Sequence, residues 1–379
     1  MVPAMSLAPE ALAAARAALA AWYRARRRSL PWREDPAPYR VWVSEIMLQQ
    51  TQVATALPYF ERFIAAFPTV ADLAAADLQA VLTQWSGLGY YRRARHLHAA
   101  ARAVVADHAG ALPRDPAALA TLPGVGRYTA AAIASIAYGV PVAVLDGNVA
   151  RVLARLVAEE RPIDTGPAQR DQWALAEALL DRADPSTHNQ AMMELGALVC
   201  APKAPACPSC PLAPACAARR EGRPLDFPKK AHRTEVKPVR AVAALVTRAD
   251  GAVLLARRPA DVLLGDLWEL PGGELGDGRA DRRAALARAL AERLGLTATV
   301  GGHLATVEHV FTHRRLTLDV YGATVADLDA LAPSWYGAAG WVAPATAGEH
   351  LPLSRLTEKV LAATAAPAAR PAPTPGDLL

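Results

Sequence analysis

Residues 122–150 read LPGVGRYTAAAIASIAYGVPVAVLDGNVA. Gly124 and Gly126 bracket Val125 in a tight turn, and the spacing predicts a helix over Arg127–Tyr138. The first N–H groups of a helix have no intrahelical partner, and its N-terminus carries partial positive charge. A glycine turn feeding such a terminus is therefore a natural phosphate seat. An ordinary corner between two helices fits the same string. The apolar run Val144-Leu145 then ends in Asp146-Gly147-Asn148, and a further helix is expected from Arg151. Aspartate is a preferred residue for capping a helix that starts this way.

Outward from this stretch, residues 7–200 read as almost wholly helical. Alanine, leucine and arginine dominate, apolar residues recur at helical spacing, and Pro31, Pro36, Pro58, Pro68, Pro113 and Pro123 punctuate the segments. The stretch from Leu7 to Trp22 predicts an amphipathic helix. Composition changes after Arg219. Residues 220–238 hold charge and proline with little periodicity and read as an interdomain linker. Beyond Val239, Val242–Val246 and Val253–Leu255 are short apolar runs separated by Ala249-Asp250-Gly251, which predicts a hairpin. A helix is expected over Asp281–Leu294, closed by Gly295, then strands over Thr297–Val310 and Arg315–Val325, and a last helix near Pro352–Thr364. The Pro/Ala-rich tail 365–379 reads as disordered. The organisation expected is a multidomain chain: an all-α domain over 7–219, a linker over 220–238, and an α+β domain over 239–364.

Upstream of the hairpin lies Trp42-Val43-Ser44-Glu45-Ile46-Met47-Leu48-Gln49-Gln50-Thr51-Gln52-Val53, with Leu30-Pro31-Trp32-Arg33 before it. Glu45 is flanked by apolar residues, and a carboxyl in such company has its pKa raised, which suits a general acid near neutral pH. A single acid on a helix surface is the plainer account of Glu45. The four cysteines Cys200, Cys207, Cys210 and Cys216 all fall in one segment, spaced Cys-x6-Cys-x2-Cys-x5-Cys. Secreted proteins spread cysteines as staples; this clustering points to a reducing compartment and one metal or cluster site. Structural zinc usually takes two paired ligand sets, and only one Cys-x2-Cys pair is present.

Taken together in order and spacing, the residues from Leu30 to Cys216 resemble the MutY-type adenine DNA glycosylases of the helix-hairpin-helix, endonuclease III-like superfamily. The resemblance implies a DNA-backbone contact at Gly124, Val125 and Gly126, and a [4Fe–4S] cluster on the four cysteines of the 200–216 loop. It implies that Glu45 protonates a flipped adenine and that Asp146 stabilises the oxocarbenium-like sugar, with Tyr128 and Asn148 positioning water and sugar. Trp32, Arg33, Gln50 and Glu194 match residues around the flipped base. Gln50, Thr51, Leu88 and Tyr90 match residues that wedge into the stack, although Leu88 and Tyr90 serve equally as packing. The related lyases carry a lysine nucleophile two residues after the second hairpin glycine; Tyr128 stands there and cannot form a Schiff base. The implied enzyme is monofunctional and leaves an abasic site.

In the second domain, Leu267-Trp268-Glu269-Leu270-Pro271-Gly272-Gly273-Glu274 resembles the opening of a Nudix box. That box requires Gly-x5-Glu-x7-Arg-Glu-x2-Glu-Glu-x-Gly. Here Arg288-Ala289 stands for Arg-Glu and Glu292-Arg293 for Glu-Glu, while Gly278, Arg279 and Ala280 occupy the place of the first glutamate. One surviving carboxylate does not hold the magnesium that pyrophosphate hydrolysis needs. A Nudix-like fold with a dead hydrolase is expected. In the family this domain recognises 8-oxoguanine opposite the adenine through Phe-Ser-His; Phe311-Thr312-His313 stands here, with threonine keeping the hydroxyl.

Composition agrees without deciding. Lys and Arg number 41 against 36 Asp and Glu, a net charge of +5, and the pI is near 9.1. The basic clusters Arg24, Arg26, Arg27, Arg28; Arg92, Arg93, Arg95; and Lys229, Lys230, Arg233, Lys237 fit an anionic partner or solvated helix faces. No run of about 20 uncharged apolar residues exists, so no membrane span is expected, nor is a secretion signal visible. The expected partner is duplex DNA with adenine opposite 8-oxoguanine or guanine, bound by an intracellular monomer working with the chromosome. The enzyme alternative is an endonuclease III-like glycosylase and lyase on oxidised pyrimidines, against which Tyr128 argues. A non-catalytic DNA-damage or redox sensor is the alternative of another class, which would lack Glu45 or Asp146.

Overall fold

The computed structural model describes residues 9–231, 235–276, 281–327 and 330–365. The expected disordered tail, from residue 366 on, and the Gly278-Arg279-Ala280 stretch lie outside the described residues. The helices of the first part are α1 (Pro9–Arg26), α2 (Pro31–Glu34), α3 (Pro38–Leu48), α4 (Val53–Ala66) and α5 (Val70–Ala75). They continue with α6 (Leu78–Trp85), α7 (Arg92–Asp107), α8 (Pro116–Leu119), α9 (Arg127–Tyr138) and α10 (Gly147–Leu156). Last come α11 (Gly166–Leu179), α12 (Pro185–Leu198) and α13 (Ala217–Arg220). The chain forms two compact units. One contains α1–α5 and α7–α13; the segment Asp77–Tyr91, with α6, groups with the residues from Glu235 on.

In the helical unit, α9 is the hub. Ala130, Ala131, Ala132, Ile133, Ala134 and Ser135 are all buried, and α3 and α12 pack on the helix. Small side chains on successive turns let those neighbours come close. Gly139 ends α9 in the left-handed conformation at φ 66°, the usual glycine stop. Helix α10 begins at Gly147, four residues earlier than the sequence suggested, because the Asp146 side chain accepts from the Val149 N–H at 2.7 Å and starts it there. Glycine is required at two places. Gly124 has φ +75°, and a Cβ there would sit 2.5 Å from the Cβ of His96. On α12, a Cβ at Gly196 would lie 2.7 Å from the Cβ of Asn148, so Gly196 sets how closely α12 approaches α10.

The expected linker is partly built into the helical unit. Phe227 is 1% exposed, its carbonyl accepts from Arg155 Nε at 3.0 Å, and the Ile163 N–H donates to Lys229 O. One buried aromatic is enough to anchor a stretch that shows no periodicity.

The second unit holds two sheets. Its strands are β1 (Lys237–Val246), β2 (Val253–Arg257), β3 (Trp268–Glu269), β4 (Gly272–Glu274), β5 (Ala298–Val310), β6 (Arg314–Val325) and β7 (Ala338–Val342). One sheet runs β4-β1-β6-β5 and the other β3-β2-β7. The predicted hairpin of Val242–Val246 with Val253–Leu255 is therefore corrected. A tight turn joins β1 to β2, but the two meet only at the bridge Thr247↔Val253, and β1 pairs in parallel with β6. Both strands are buried along most of their length, and a fully buried apolar run does not say which partner it takes. Of the helices α14 (Arg282–Leu294), α15 (Ala347–His350) and α16 (Arg355–Thr364), α14 packs on β1, β4 and β5, α16 on β5, and α15 on α6. Asp281 caps α14, Gly295 closes it at φ 69°, and Leu286, Leu290 and Leu294 face the core.

Candidate active site

A cavity of about 430 Å³ in the helical unit is lined from α2, α3, α9, α10 and α12. It gathers Trp32, Arg33, Glu45, Gln50, Thr51, Tyr128, Asp146, Asn148 and Glu194, residues spread over more than 160 positions of sequence. Glu45 projects from α3 and is 6% exposed. Burial pushes its carboxyl up to about 7; a hydrogen bond from Tyr128 opposes the shift and the charge of Asp146 adds to it. The Tyr128 hydroxyl donates to Glu45 Oε2 at 2.6 Å and lies 3.2 Å from Met193 Sδ. Tyr128, expected to position water or sugar, is thus first a partner of the acid.

Asp146 is more open than Glu45. Its Oδ1 accepts from the Val149 N–H at 2.7 Å and its Oδ2 from Asn148 Nδ2 at 2.9 Å. Both bonds favour the ionised carboxylate. Burial outweighs them, and the carboxyl is raised from its ordinary value. Asn148 is fixed in turn by Arg151, whose Nη2 donates to its Oδ1 at 2.9 Å while Nε reaches Cys200 O at 2.8 Å.

Glu194 is 1% exposed and forked by two guanidiniums. Arg33 donates to it at 3.0 and 2.9 Å, and Arg28 at 2.8 and 2.5 Å with its backbone N–H at 3.0 Å. Burial alone raises this carboxyl; the two arginines overcome it and hold it at about 2. Glu45 and Glu194 therefore face one cavity in opposite states, one poised to carry a proton and one fixed as an anion.

The hairpin presents less than expected at one position. Val125 is 5% exposed and its N–H bonds to Leu122 O at 3.1 Å, so it is committed within the hairpin, while Gly124 and Gly126 are exposed. Cys200, Cys207, Cys210 and Cys216 line one small pocket together, and none is in a disulfide. Arg155, 2% exposed, donates to Cys200 Sγ at 3.3 Å. The Cys210 thiol is pushed up to about 11, first by burial and further by the neighbouring sulfurs of the other three cysteines. A bound cation would relieve both effects, so the donor set fits a metal–sulfur group, although among the described residues no cage with metal spacing is preformed.

In the second unit, Phe311, half-buried, and exposed Thr312 and His313 form the turn between β5 and β6, closed by Phe311 N–H to Arg314 O at 2.7 Å. Within the same unit Tyr90, at φ +50° and 45% exposed, places its hydroxyl 3.0 Å from Thr312 Oγ1. Leu88 is only 6% exposed, so its side chain packs inside the unit, whereas the Tyr90 side chain stands out from it.

The family model described as an HhH-GPD superfamily base excision DNA repair protein matches residues 43–177, and that of the NUDIX domain matches 242–363. The human adenine DNA glycosylase is 40% identical over 364 residues, covering 81% of this chain and 66% of its own length. The mouse enzyme of the same name is 38% identical, covering 81% of this chain and 70% of itself. The chain belongs to the adenine DNA glycosylase family. A thermostable thymine-DNA glycosylase of solved structure shares the fold at 27% identity and TM-score 0.51, covering 55% of this chain and 97% of that one. No described helix is long and apolar enough to cross a membrane.

Within an adenine DNA glycosylase, two arginines gain a place that sequence did not give them. Arg28 and Arg93 both read as members of basic clusters. Arg28 instead makes the second half of the clamp on Glu194. Arg93 donates to the Ile46, Met47 and Gln49 carbonyls at 2.8, 2.9 and 2.5 Å and to Thr51 Oγ1 at 3.3 Å. It satisfies the last carbonyls of α3, where cations are favoured, and so supports Gln50 at φ +58°. Only an acid or a helix end at matching distance could have signalled either role, and neither is a sequence-local feature.

Proposed function

We propose that this chain excises adenine mispaired with 8-oxoguanine or guanine and leaves an intact strand with an abasic site. The observation that carries the reading is the shared cavity of Glu45 and Asp146, with a tyrosine rather than a lysine between them. A base in a duplex is stacked and unreachable, so it must be flipped into that cavity. Glu45, held near pKa 7, delivers a proton to adenine N7 and turns the base into a leaving group. Asp146, oriented by Asn148, faces the positive charge that develops on the sugar. Tyr128 keeps the Glu45 carboxyl aimed. The Arg28–Glu194–Arg33 clamp offers a rigid polar wall that holds the base, beside Trp32 and Gln50.

The four cysteines fit a [4Fe–4S] cluster, which when bound would clamp the 200–216 loop to α10 as a structural crosslink. Gly124 and Gly126 would seat a backbone phosphate. Phe311, Thr312 and His313, with Tyr90, would read 8-oxoguanine. The Nudix-like unit would hydrolyse nothing, since Glu292 stands beside Arg293 rather than a second carboxylate. We assign the protein to the interior of the cell, acting as a monomer.

The test is a duplex carrying adenine opposite 8-oxoguanine. Strand breakage should appear only after alkali, and Asp146→Asn should lose at least about 100-fold in rate while still binding DNA. Breakage without alkali, or borohydride trapping at the level of a lyase, overturns the monofunctional assignment.

A further inference from the structure

Tyr90 sits in a short loop of the second unit, just after α6. Gly87, Gly89 and Tyr90 all take positive φ, at 91°, 79° and 50°. Two of these are glycines and accept that conformation freely; Tyr90 carries a Cβ and does not, so its surroundings must impose it. Two buried aromatic side chains brace the loop. The Trp85 indole N–H donates to Gly89 O at 3.0 Å, and the Tyr91 hydroxyl accepts from the Gly87 N–H at 3.0 Å.

The same hydroxyl ties the loop to the rest of the unit. Tyr91 donates to Leu353 O at 2.7 Å. Ser86 grips that residue twice, its Oγ donating to Leu353 O at 2.7 Å and accepting from the Leu353 N–H at 3.2 Å. Leu353 is a firm anchor. It is buried, bridged to Trp268 of β3, and followed by Ser354, whose side chain caps α16. The loop is thus fastened to one point by two hydroxyls, one near each end. Between them stands Tyr90, with its own hydroxyl 3.0 Å from Thr312 Oγ1. Phenylalanine would fill the space of the Tyr91 ring; only tyrosine also serves both the loop backbone and its anchor.

We propose that Tyr91 is a positioning residue for 8-oxoguanine recognition, its hydroxyl linking the Gly87 N–H to Leu353 so that Tyr90 is held beside Thr312. This rests on the reading of Tyr90 as part of the lesion reader. Tyr91 itself is buried and acts through Tyr90. Without its hydroxyl, the Gly87 N–H loses a partner, Leu353 O loses one of two donors, and the loop can relax away from the conformation that Tyr90 resists.

The experiment is a double-mutant cycle on the full-length, cluster-loaded protein. It is read as binding to duplexes with a tetrahydrofuran abasic analogue opposite 8-oxoguanine or opposite guanine, and the ratio of the two affinities reports lesion recognition. Tyr91→Phe should lower that ratio by about three- to tenfold, the range of one hydrogen bond. Tyr90→Ala should lower it at least as far. In the Tyr90→Ala background Tyr91→Phe should cost nothing more, because the side chain it positions is gone. Penalties that simply add would make Tyr91 a packing residue and overturn the proposal, as would an unchanged ratio in Tyr91→Phe. An unchanged ratio in Tyr90→Ala would refute the reading of Tyr90 as a lesion contact, and the proposal with it. Ser86→Ala removes the other hydroxyl on Leu353 and should show the same non-additivity with Tyr90→Ala; should Tyr91→Phe fail to fold, that second cycle decides.

Discussion

Replacing Glu45 by Gln should abolish most activity and, above neutral pH, make the protein more stable. Glu45 is buried, and its carboxyl is raised from 4.5 to about 7. The unfolded chain releases this proton near 4.5, whereas the folded chain keeps it until about 7. Between those values the folded state binds more protons, so its stability falls as pH rises. At roughly 1.4 kcal/mol for each tenfold change in proton affinity, the loss reaches about 3 kcal/mol by pH 7 and is constant beyond it. Glutamine has the same shape, keeps an acceptor for the Tyr128 hydroxyl and does not titrate. The stability of Glu45→Gln relative to the unaltered protein should therefore climb by about 3 kcal/mol between pH 4.5 and 7.5. For a unit of this size that is about 6–12 °C in Tm. Thermal or urea unfolding of both proteins across pH 4.5–8.5 measures it, and taking the difference removes every contribution that both share. Excision by Glu45→Gln should fall by about 10²–10⁴-fold, and excision by the unaltered enzyme should decline as pH rises through 7. A stability difference flat across the whole range would mean that Glu45 titrates alike in folded and unfolded chains, and the account of a stored proton would be wrong.

Three further outcomes follow from the same geometry. Tyr128→Phe removes the bond that lowers the Glu45 pKa, so the alkaline limb of the pH–rate profile should move to higher pH while excision drops several-fold; an unmoved limb would separate Tyr128 from the acid. Gly196→Ala would place a Cβ 2.7 Å from that of Asn148 and 2.9 Å from its carbonyl oxygen, costing about 1–3 kcal/mol in unfolding assays and slowing excision; a neutral result would show that α10 and α12 need not be so close. Cys210→Ala should lose the visible absorbance of an iron–sulfur protein and the roughly four iron atoms per chain expected of the native protein, with stability falling alongside; stoichiometric zinc in the native preparation would refute the cluster.

What the sequence disclosed and what it hid divide along one physical line. Features closed within a few residues were legible. The glycine turn, the Asp146 cap, the Gly295 helix end and the cysteine spacing are each contained in a short stretch of chain. Glu45 was legible for a related reason, since the apolar residues that bury it are its own neighbours on α3. Pairings at long range were not legible from pattern. The string around β1 and β2 is a hairpin by every local sign, yet β1 takes β6 as its parallel partner, because a strand buried on both faces carries no mark of which edge it joins. Arg28, Arg93 and Phe227 failed to announce themselves for the same reason. The acid, the helix end and the aromatic pocket that give them meaning lie far along the chain. Asp146 shows the remaining limit. Its capping bonds were readable and are present, but burial outweighs them in its proton affinity, and burial is set by elements that meet only in the fold; α12, for one, comes up against Asn148 through Gly196, a glycine with no turn to make and only a neighbour to admit.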